Sequence, residues 1–258
     1  MENNAHIISV VNQKGGVGKT TTAVNLSSYL ADLGKKTLLV DLDPQANATS
    51  GIGIDVAKLE YSLYDIMMQR CDIAKVICPT VFDGLHVLPA TKDLAGAEVE
   101  LVNLDHREAY LKTVLDPLNS FYDYIIIDCP PSLGLLTING LVASTKTIIP
   151  VQCEYYALEG IAGLVNTLNQ IKDHYNPLLE IAGIVLTMFD KRTALNKQVV
   201  DNTRRFFQSL VFETVVPRNI RLTEAPSHGI PIVLYNSTST GAIAYSELTK
   251  EVVHRVES

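Results

Sequence analysis

Gln13-Lys14-Gly15-Gly16-Val17-Gly18-Lys19-Thr20-Thr21-Thr22 is the stretch that decides how this chain folds. It follows the apolar run His6–Asn12. A helical pattern begins where it ends: Ala23, Leu26, Leu30 and Leu33 keep helical spacing up to a stop signal at Gly34. Strand, glycine-rich turn and helix in that order are the setting of a phosphate-binding loop. Gly15, Gly16 and Gly18 let backbone N–H groups curl around phosphates, with Val17 and Thr21 in the same turn. Lys19 is placed to reach the terminal phosphate oxygens and Thr20 to hold Mg²⁺. The new helix adds the positive end of its dipole. The usual loop opens with glycine where this chain has Gln13, and here a second lysine, Lys14, has been gained.

Outward from the loop, short β-branched runs alternate with helical patterns. Thr37–Asp41, Leu85–Leu88, Tyr124–Asp128, Thr147–Val151, Ile181–Thr187 and Val211–Val216 read as further strands. Several are apolar at nearly every position, as parallel strands covered on both faces are. Leu158, Ile161, Val165, Leu168 and Ile171 keep helical spacing, and Ser62 with Asp65 forms a capping-box pattern. The fold class is therefore α/β: a mostly parallel twisted sheet flanked by helices, with residues 1–258 expected as one domain. Such sheets bind ligands beyond the carboxyl ends of their strands. Two further strand ends carry acids there. Val40-Asp41-Leu42-Asp43 puts two carboxylates on one side of the chain, and Ile127-Asp128 ends another strand in an aspartate, the usual partner of a Mg²⁺ beside a P-loop.

Composition sets the outer limits. Of 258 residues 47% are hydrophobic and 19% charged, which excludes a disordered or collagen-like chain. No apolar run is long enough to span a membrane, and Met1–His6 lacks the pattern of a signal peptide. Cys71, Cys78, Cys129 and Cys153 are too scattered for a disulfide framework or a paired-cysteine metal site. A reduced, cytoplasmic protein is expected.

Lys14–Thr22, Val40–Thr49 and Ile125–Ser132 closely resemble the ParA/Soj chromosome-partitioning ATPases, within the deviant-Walker P-loop group that includes MinD. Pro150–Gly160, Leu186–Asp190 and Val216–Gly229 extend the resemblance over nearly the whole chain. It implies ATP and Mg²⁺ as cofactors, hydrolysis of ATP to ADP and phosphate, and an ATP-dependent homodimer in which Lys14 of each subunit reaches the nucleotide of the other. A lysine so placed acts like an arginine finger on developing phosphate charge. By the same resemblance Asp43 positions the attacking water and Asp41 supports the Mg²⁺ shell with Asp128. Pro130–Ser132 responds to the γ-phosphate. Base contacts come from Thr187–Phe189, centred on Met188, and from Pro217–Asn219, while Glu154 approaches the nucleotide or the partner subunit. A ParB-type centromere-binding partner and a cytoplasmic, nucleoid-associated location are implied as well.

The net charge of −7 conceals an uneven distribution. Between Lys191 and Arg221 stand seven basic residues (Lys191, Arg192, Lys197, Arg204, Arg205, Arg218, Arg221) against Asp201 and Glu213 alone, a local +5. A basic patch is the footprint of phosphate-backbone binding, and the resemblance puts DNA contacts at Arg192 and Arg221, with Lys197, Arg204 and Arg205 in the same patch. No recognition-helix pattern is present, so non-specific DNA binding is expected. Two other classes are weaker. A MinD-like membrane-surface ATPase needs a terminal amphipathic helix with a basic face, and Tyr245–Ser258 has a mixed one. An iron–sulfur carrier needs bridging cysteines, and only Cys129 lies beside a site residue.

Overall fold

The computed structural model describes residues 4–154 and 157–258. The strands are β1 (His6–Val10), β2 (Thr37–Asp41), β3 (Cys78–Pro79), β4 (Leu85–Leu88), β5 (Tyr124–Asp128), β6 (Lys146–Gln152), β7 (Glu180–Phe189) and β8 (Val211–Pro217). They form one sheet in the order β3-β4-β2-β5-β1-β6-β7-β8, parallel throughout except for the β3–β4 pair. β2, β4 and β5 match the sequence reading residue for residue. β1 stops two residues early because Asn12 leaves the ladder: its amide donates to Pro150 O at 2.7 Å and its Oδ1 accepts the Lys14 N–H at 3.0 Å. β3 escaped the sequence reading, since two residues ending in proline carry no period.

Burial on both faces explains the apolar strands. Along β5, Ile125 and Ile127 enter one core with Leu38, Val40 and Leu186, while Tyr124 and Ile126 enter the other with Leu39, Val185 and Phe212. The Lys19–Asp32 helix covers the second face together with the C-terminal Thr240–Glu257 helix. Tyr245, Leu248, Val252 and Val256 of that last helix are buried there, so its apolar stripe is used inside the fold. Among the described residues no helix is long and apolar enough to cross a membrane. The capping-box pair also forms, with the Asp65 carboxylate accepting the Ser62 N–H at 2.9 Å.

Strand order fixes where a ligand can sit. From β1 the chain runs to β2 on one side of the sheet, and from β5 it runs through the Leu135–Ala143 helix to β6 on the other. Connections that leave in opposite directions open a crevice at the carboxyl ends of the central strands. β1 and β5 pair with Val10 opposite Asp128, and β2 and β5 pair with Asp41 opposite Asp128. The glycine loop and both strand-end acids thereby meet at one edge.

Candidate functional site

A cleft of about 840 Å³ opens at that edge. Gly15, Gly16, Gly18, Lys19, Thr20 and Thr21 form its floor, Asp43 and Pro131 one wall, and Met188, Pro217 and Asn219 the other. Gly16 and Gly18 have φ of +73° and +91°, conformations that side chains disfavour, so the loop's curl depends on glycine at both positions. Val17 lies buried beneath the loop, and its carbonyl accepts the Thr187 hydroxyl at 2.8 Å, fastening the loop to the end of β7. Nothing in the sequence near Thr187 signals that bond, because it joins residues 170 apart.

The two lysines of the loop take opposite positions. Lys19 is buried, and its ammonium donates to Lys14 O at 3.2 Å across the loop. Burial lowers its pKa, while Asp128 and then Asp43 oppose that shift. Lys14 is more than half exposed, does not line the cleft, and forms an ion pair with Glu154. Tyr155 and Tyr156, which follow Glu154, lie outside the described residues.

The acids are buried and unequal. Asp128 is fully buried and neither of its oxygens has a hydrogen-bond partner among the described residues, although the Thr20 hydroxyl lies close by. Burial raises its pKa well above the ordinary carboxylate value, and Asp41 pushes it further in the same direction. Asp41 is raised to about 6, chiefly by burial, despite accepting the Thr49 hydroxyl at 2.6 Å and the Thr49 N–H at 2.7 Å. Its other oxygen accepts the Asp43 N–H at 3.2 Å. Asp43 in turn accepts the Gln45 N–H on Oδ1 at 2.9 Å and faces the cleft. Two buried carboxylates beside a single buried ammonium are costly. Asp128, with two orphaned oxygens beside Thr20, suits a Mg²⁺ shell that supplies water molecules to it. No group of three acids, histidines or cysteines forms a protein cage among the described residues, and Mg²⁺ beside phosphates does not require one. Cys129 is buried and its thiol is pushed up by that burial, so it is a neutral core neighbour of the site.

The opposite wall is apolar. Met188 carries a left-handed backbone, φ +53°, at the end of β7, which costs a non-glycine residue about 1 kcal/mol and presents its side chain to the cleft. Asn219 lines the cleft, but its side chain is occupied: Oδ1 accepts the Arg221 N–H and the amide donates to Thr240, both at 2.8 Å. Tyr245 also lines the cleft and sits 3.1 Å from the Thr22 hydroxyl, a contribution from the last helix that no local motif announces.

The basic window stands outside the cleft, with the exception of Arg218 at its rim. The sequence window ended one residue short of Asp190 and three short of Glu224. The structure pairs these acids with the two key arginines. Arg192 grips Asp190 with Nε at 2.9 Å and Nη2 at 2.6 Å, and Arg221 meets Glu224 at 2.7 Å. Including both acids, residues 190–224 carry +3, a smaller excess than the sequence count implied. Arg204 is drawn to the Glu213 carbonyl at 2.8 Å, while Lys197 and Arg205 are exposed on the Ala194–Phe207 helix.

Comparison with known proteins identifies the lineage of this site. A family model described as "AAA domain" (AAA_31) matches residues 5–181. The sporulation initiation inhibitor protein Soj of Bacillus subtilis is 56% identical over 246 residues, 95% of this chain and 97% of that protein. The chromosome partitioning protein ParA of Myxococcus xanthus is 52% identical, over 96% of this chain and 88% of its own. The chain belongs to the ParA/Soj family. Among solved structures, a Mycobacterium smegmatis cobyrinic acid a,c-diamide synthase with bound ADP and magnesium superimposes with a TM-score of 0.86 at 35% identity, covering 98% of this chain and 96% of that one.

Proposed function

We propose that this chain is an ATP-dependent DNA-partitioning switch: ATP binding assembles a sandwich dimer that holds DNA non-specifically, and hydrolysis releases it. Residues 1–258 act as one unit, in the cytoplasm and on the nucleoid, with a ParB-type partner stimulating hydrolysis. Family membership supports the ATPase and partitioning role. The observation that carries the dimer is the placement of the two lysines. Lys19 already serves the cleft from within, and Lys14 stands outside it with its ammonium at the surface, paired with Glu154. A cation so placed reaches a phosphate most readily in a facing subunit.

In this reading the loop amides and Lys19 bind the phosphates, and Thr20 with Asp128 holds Mg²⁺, which neutralises phosphate charge when bound. Asp43 orients the attacking water, with Asp41 behind it. Met188 and Pro217 flank the base, and Asn219 contributes through its backbone. The Lys14 of the second subunit stabilises charge as the terminal phosphate separates. Arg192 and Arg221 then exchange Asp190 and Glu224 for DNA phosphates. Light scattering of the protein with ATP, with ADP and with DNA tests the scheme. A dimer with ATP only, retained on DNA by the Asp43→Ala variant, is the expected result. A monomer in every nucleotide state would refute it.

A further inference from the structure

Four hydrogen bonds join the end of β4 to the water-organising carboxylate through a residue far from the glycine loop. The Ala90 N–H donates to Thr49 Oγ1 at 3.0 Å, which leaves the hydroxyl proton for Asp41 Oδ2 at 2.6 Å. The Thr49 N–H donates to the same oxygen at 2.7 Å. Asp41 Oδ1 then accepts the Asp43 N–H at 3.2 Å. All of these groups are buried: Thr49, Asp41 and Ala90 have no exposed surface, and Asp43 very little.

The chain of bonds fixes Asp43 from behind. Asp43 sits one residue beyond Leu42, whose N–H is still tied to Asp128 O at 3.0 Å, and the chain then turns sharply, with Ala46 at φ +55°. Between them, the Asp41 oxygen sets the orientation of the Asp43 peptide and the Gln45 N–H takes Asp43 Oδ1. The carboxylate is left facing the cleft by one oxygen. Asp41 can hold that peptide only while its own carboxylate is kept from swinging, and Thr49 supplies both donors that keep it there. Valine has nearly the shape of threonine but neither gives the proton nor accepts the Ala90 N–H.

We propose that Thr49 is a positioning residue for ATP hydrolysis, acting through Asp41 to aim Asp43 at the attacking water. The inference rests on the hydrolytic role given to Asp43 above. Thr49 is fully buried and does not line the cleft. Misplacing a reacting group by about an ångström costs on the order of a hundredfold in rate, so the loss falls on kcat. Substrate affinity, which depends on the glycine loop and Lys19, is left intact.

The test compares Thr49→Val, Thr49→Ser, Thr49→Ala and Asp43→Ala with the wild-type chain in steady-state ATPase assays, with ATP binding and light scattering in parallel. Thr49→Val and Thr49→Ala should lower kcat by roughly tenfold to a hundredfold, with KM within about twofold of wild type. Both should accumulate the ATP dimer. Thr49→Ser keeps the hydroxyl and should restore most of the rate. Amide exchange at Asp43 should quicken in the valine variant and not in the serine one. Should valine disturb folding, the alanine variant removes the same hydroxyl without bulk at the β-branch. Wild-type kcat in Thr49→Val, or a serine variant as slow as valine, overturns the proposal. Loss of ATP binding along with kcat does the same, because it makes Thr49 a general support of the cleft. If Asp43→Ala hydrolyses ATP normally, the role of Asp43 itself is wrong, a failure separable from that of Thr49.

Discussion

The carboxyl edge of the sheet and the basic surface beside it both hold charged groups, under opposite conditions. Lys19, Asp41, Asp43 and Asp128 are enclosed by the fold, and among the described residues Asp128 has no hydrogen-bond partner on either oxygen. Arg192 and Arg221 lie in water, and each has an acid of its own within 3 Å. An enclosed charge without a partner is costly until a ligand supplies one. Exposed pairs of this kind are held weakly, as the proposed exchange of carboxylate for DNA phosphate requires. A switch needs both kinds of site, one to commit and one to let go.

The harshest challenge to this contrast is removal of the two lysines. Lys19→Ala should reduce ATP affinity by on the order of a hundredfold or more, since it leaves buried charge unpaired. Lys14→Ala should keep ATP binding but lose dimerisation and reduce hydrolysis by roughly 10³-fold or more, the range of a missing arginine finger. Gly15→Val probes the same surface from a second residue. A Cβ at Gly15 meets nothing within 4 Å among the described residues, so a variant that binds ATP and fails to dimerise is hindered by the facing subunit. Isothermal titration and light scattering separate the effects. A Lys14→Ala protein that dimerises and turns over normally would end the assignment of that lysine to the partner's nucleotide.

The enclosed acids can also be tested through folding. A carboxyl with a raised folded pKa holds its proton more tightly folded than unfolded. Its stabilising contribution is therefore complete below the ordinary value near 4 and is lost as pH rises through the raised one. For Asp41 that value is about 6, and Asp128 is raised as well. The nucleotide-free protein should lose stability as pH climbs from about 4 past 6. Asp128→Asn should flatten this dependence and stabilise the chain at pH 8 by about 1–3 kcal/mol, the scale of an unsatisfied buried polar group. Urea unfolding in EDTA at pH 5 and pH 8 reads both quantities. An Asp128→Asn chain no more stable than wild type at pH 8 would mean that the cleft tolerates its acids without ligand.

The same contrast explains what was legible in the sequence. The glycine loop, Asp41, Asp43 and Asp128 were readable because each ends or closely follows a strand that is apolar on both faces, so β2 and β5 end at Asp41 and Asp128 where the sequence placed them. The hydrogen bonds of Thr49, Thr187 and Tyr245 went unread, although Thr187 stood in the segment expected to contact the base, because their partners are not adjacent in sequence and a hydroxyl has no motif of its own. The surface charge was read incompletely for a different reason. Counting charges inside a window bounded by basic residues left out Asp190 and Glu224, which local hydrogen bonding ties to the arginines being counted.

On that surface, Arg192→Ala with Arg221→Ala should weaken DNA binding of ATP-locked protein and leave the dimer intact. If each arginine holds one phosphate, the double variant should reduce the log–log salt slope by about 1.8, nearly equally on unrelated sequences. Filter retention of the Asp43→Ala background at three salt concentrations is the measurement. An unchanged slope would move the DNA surface elsewhere, with exposed Lys197 and Arg205 the next residues to change.

The smallest effect separates the arginine from its local acid. Glu224 accepts Arg221 at 2.7 Å and the Tyr235 hydroxyl at 3.0 Å, so its carboxylate is the group a DNA phosphate must displace. Arg221 holds that carboxyl below its ordinary pKa, and it stays ionised as a competitor at any pH where DNA binds. Glu224→Gln removes the charge, keeps an oxygen for Tyr235 and leaves the guanidinium available. Exposed ion pairs are weak, so the gain in DNA affinity should be no more than about fivefold. It should be largest at low salt and fade as screening shortens the reach of the charge. Because the pair is intramolecular, the gain should appear in the ADP-bound monomer as well as in the ATP dimer, unlike any change that acts through dimerisation. DNA retention in both nucleotide states, for Glu224→Gln alone and with Arg221→Ala, makes the comparison. A gain that survives removal of Arg221 would assign it to general loss of negative charge, and no gain in either state would show that the pair places no restraint on the arginine.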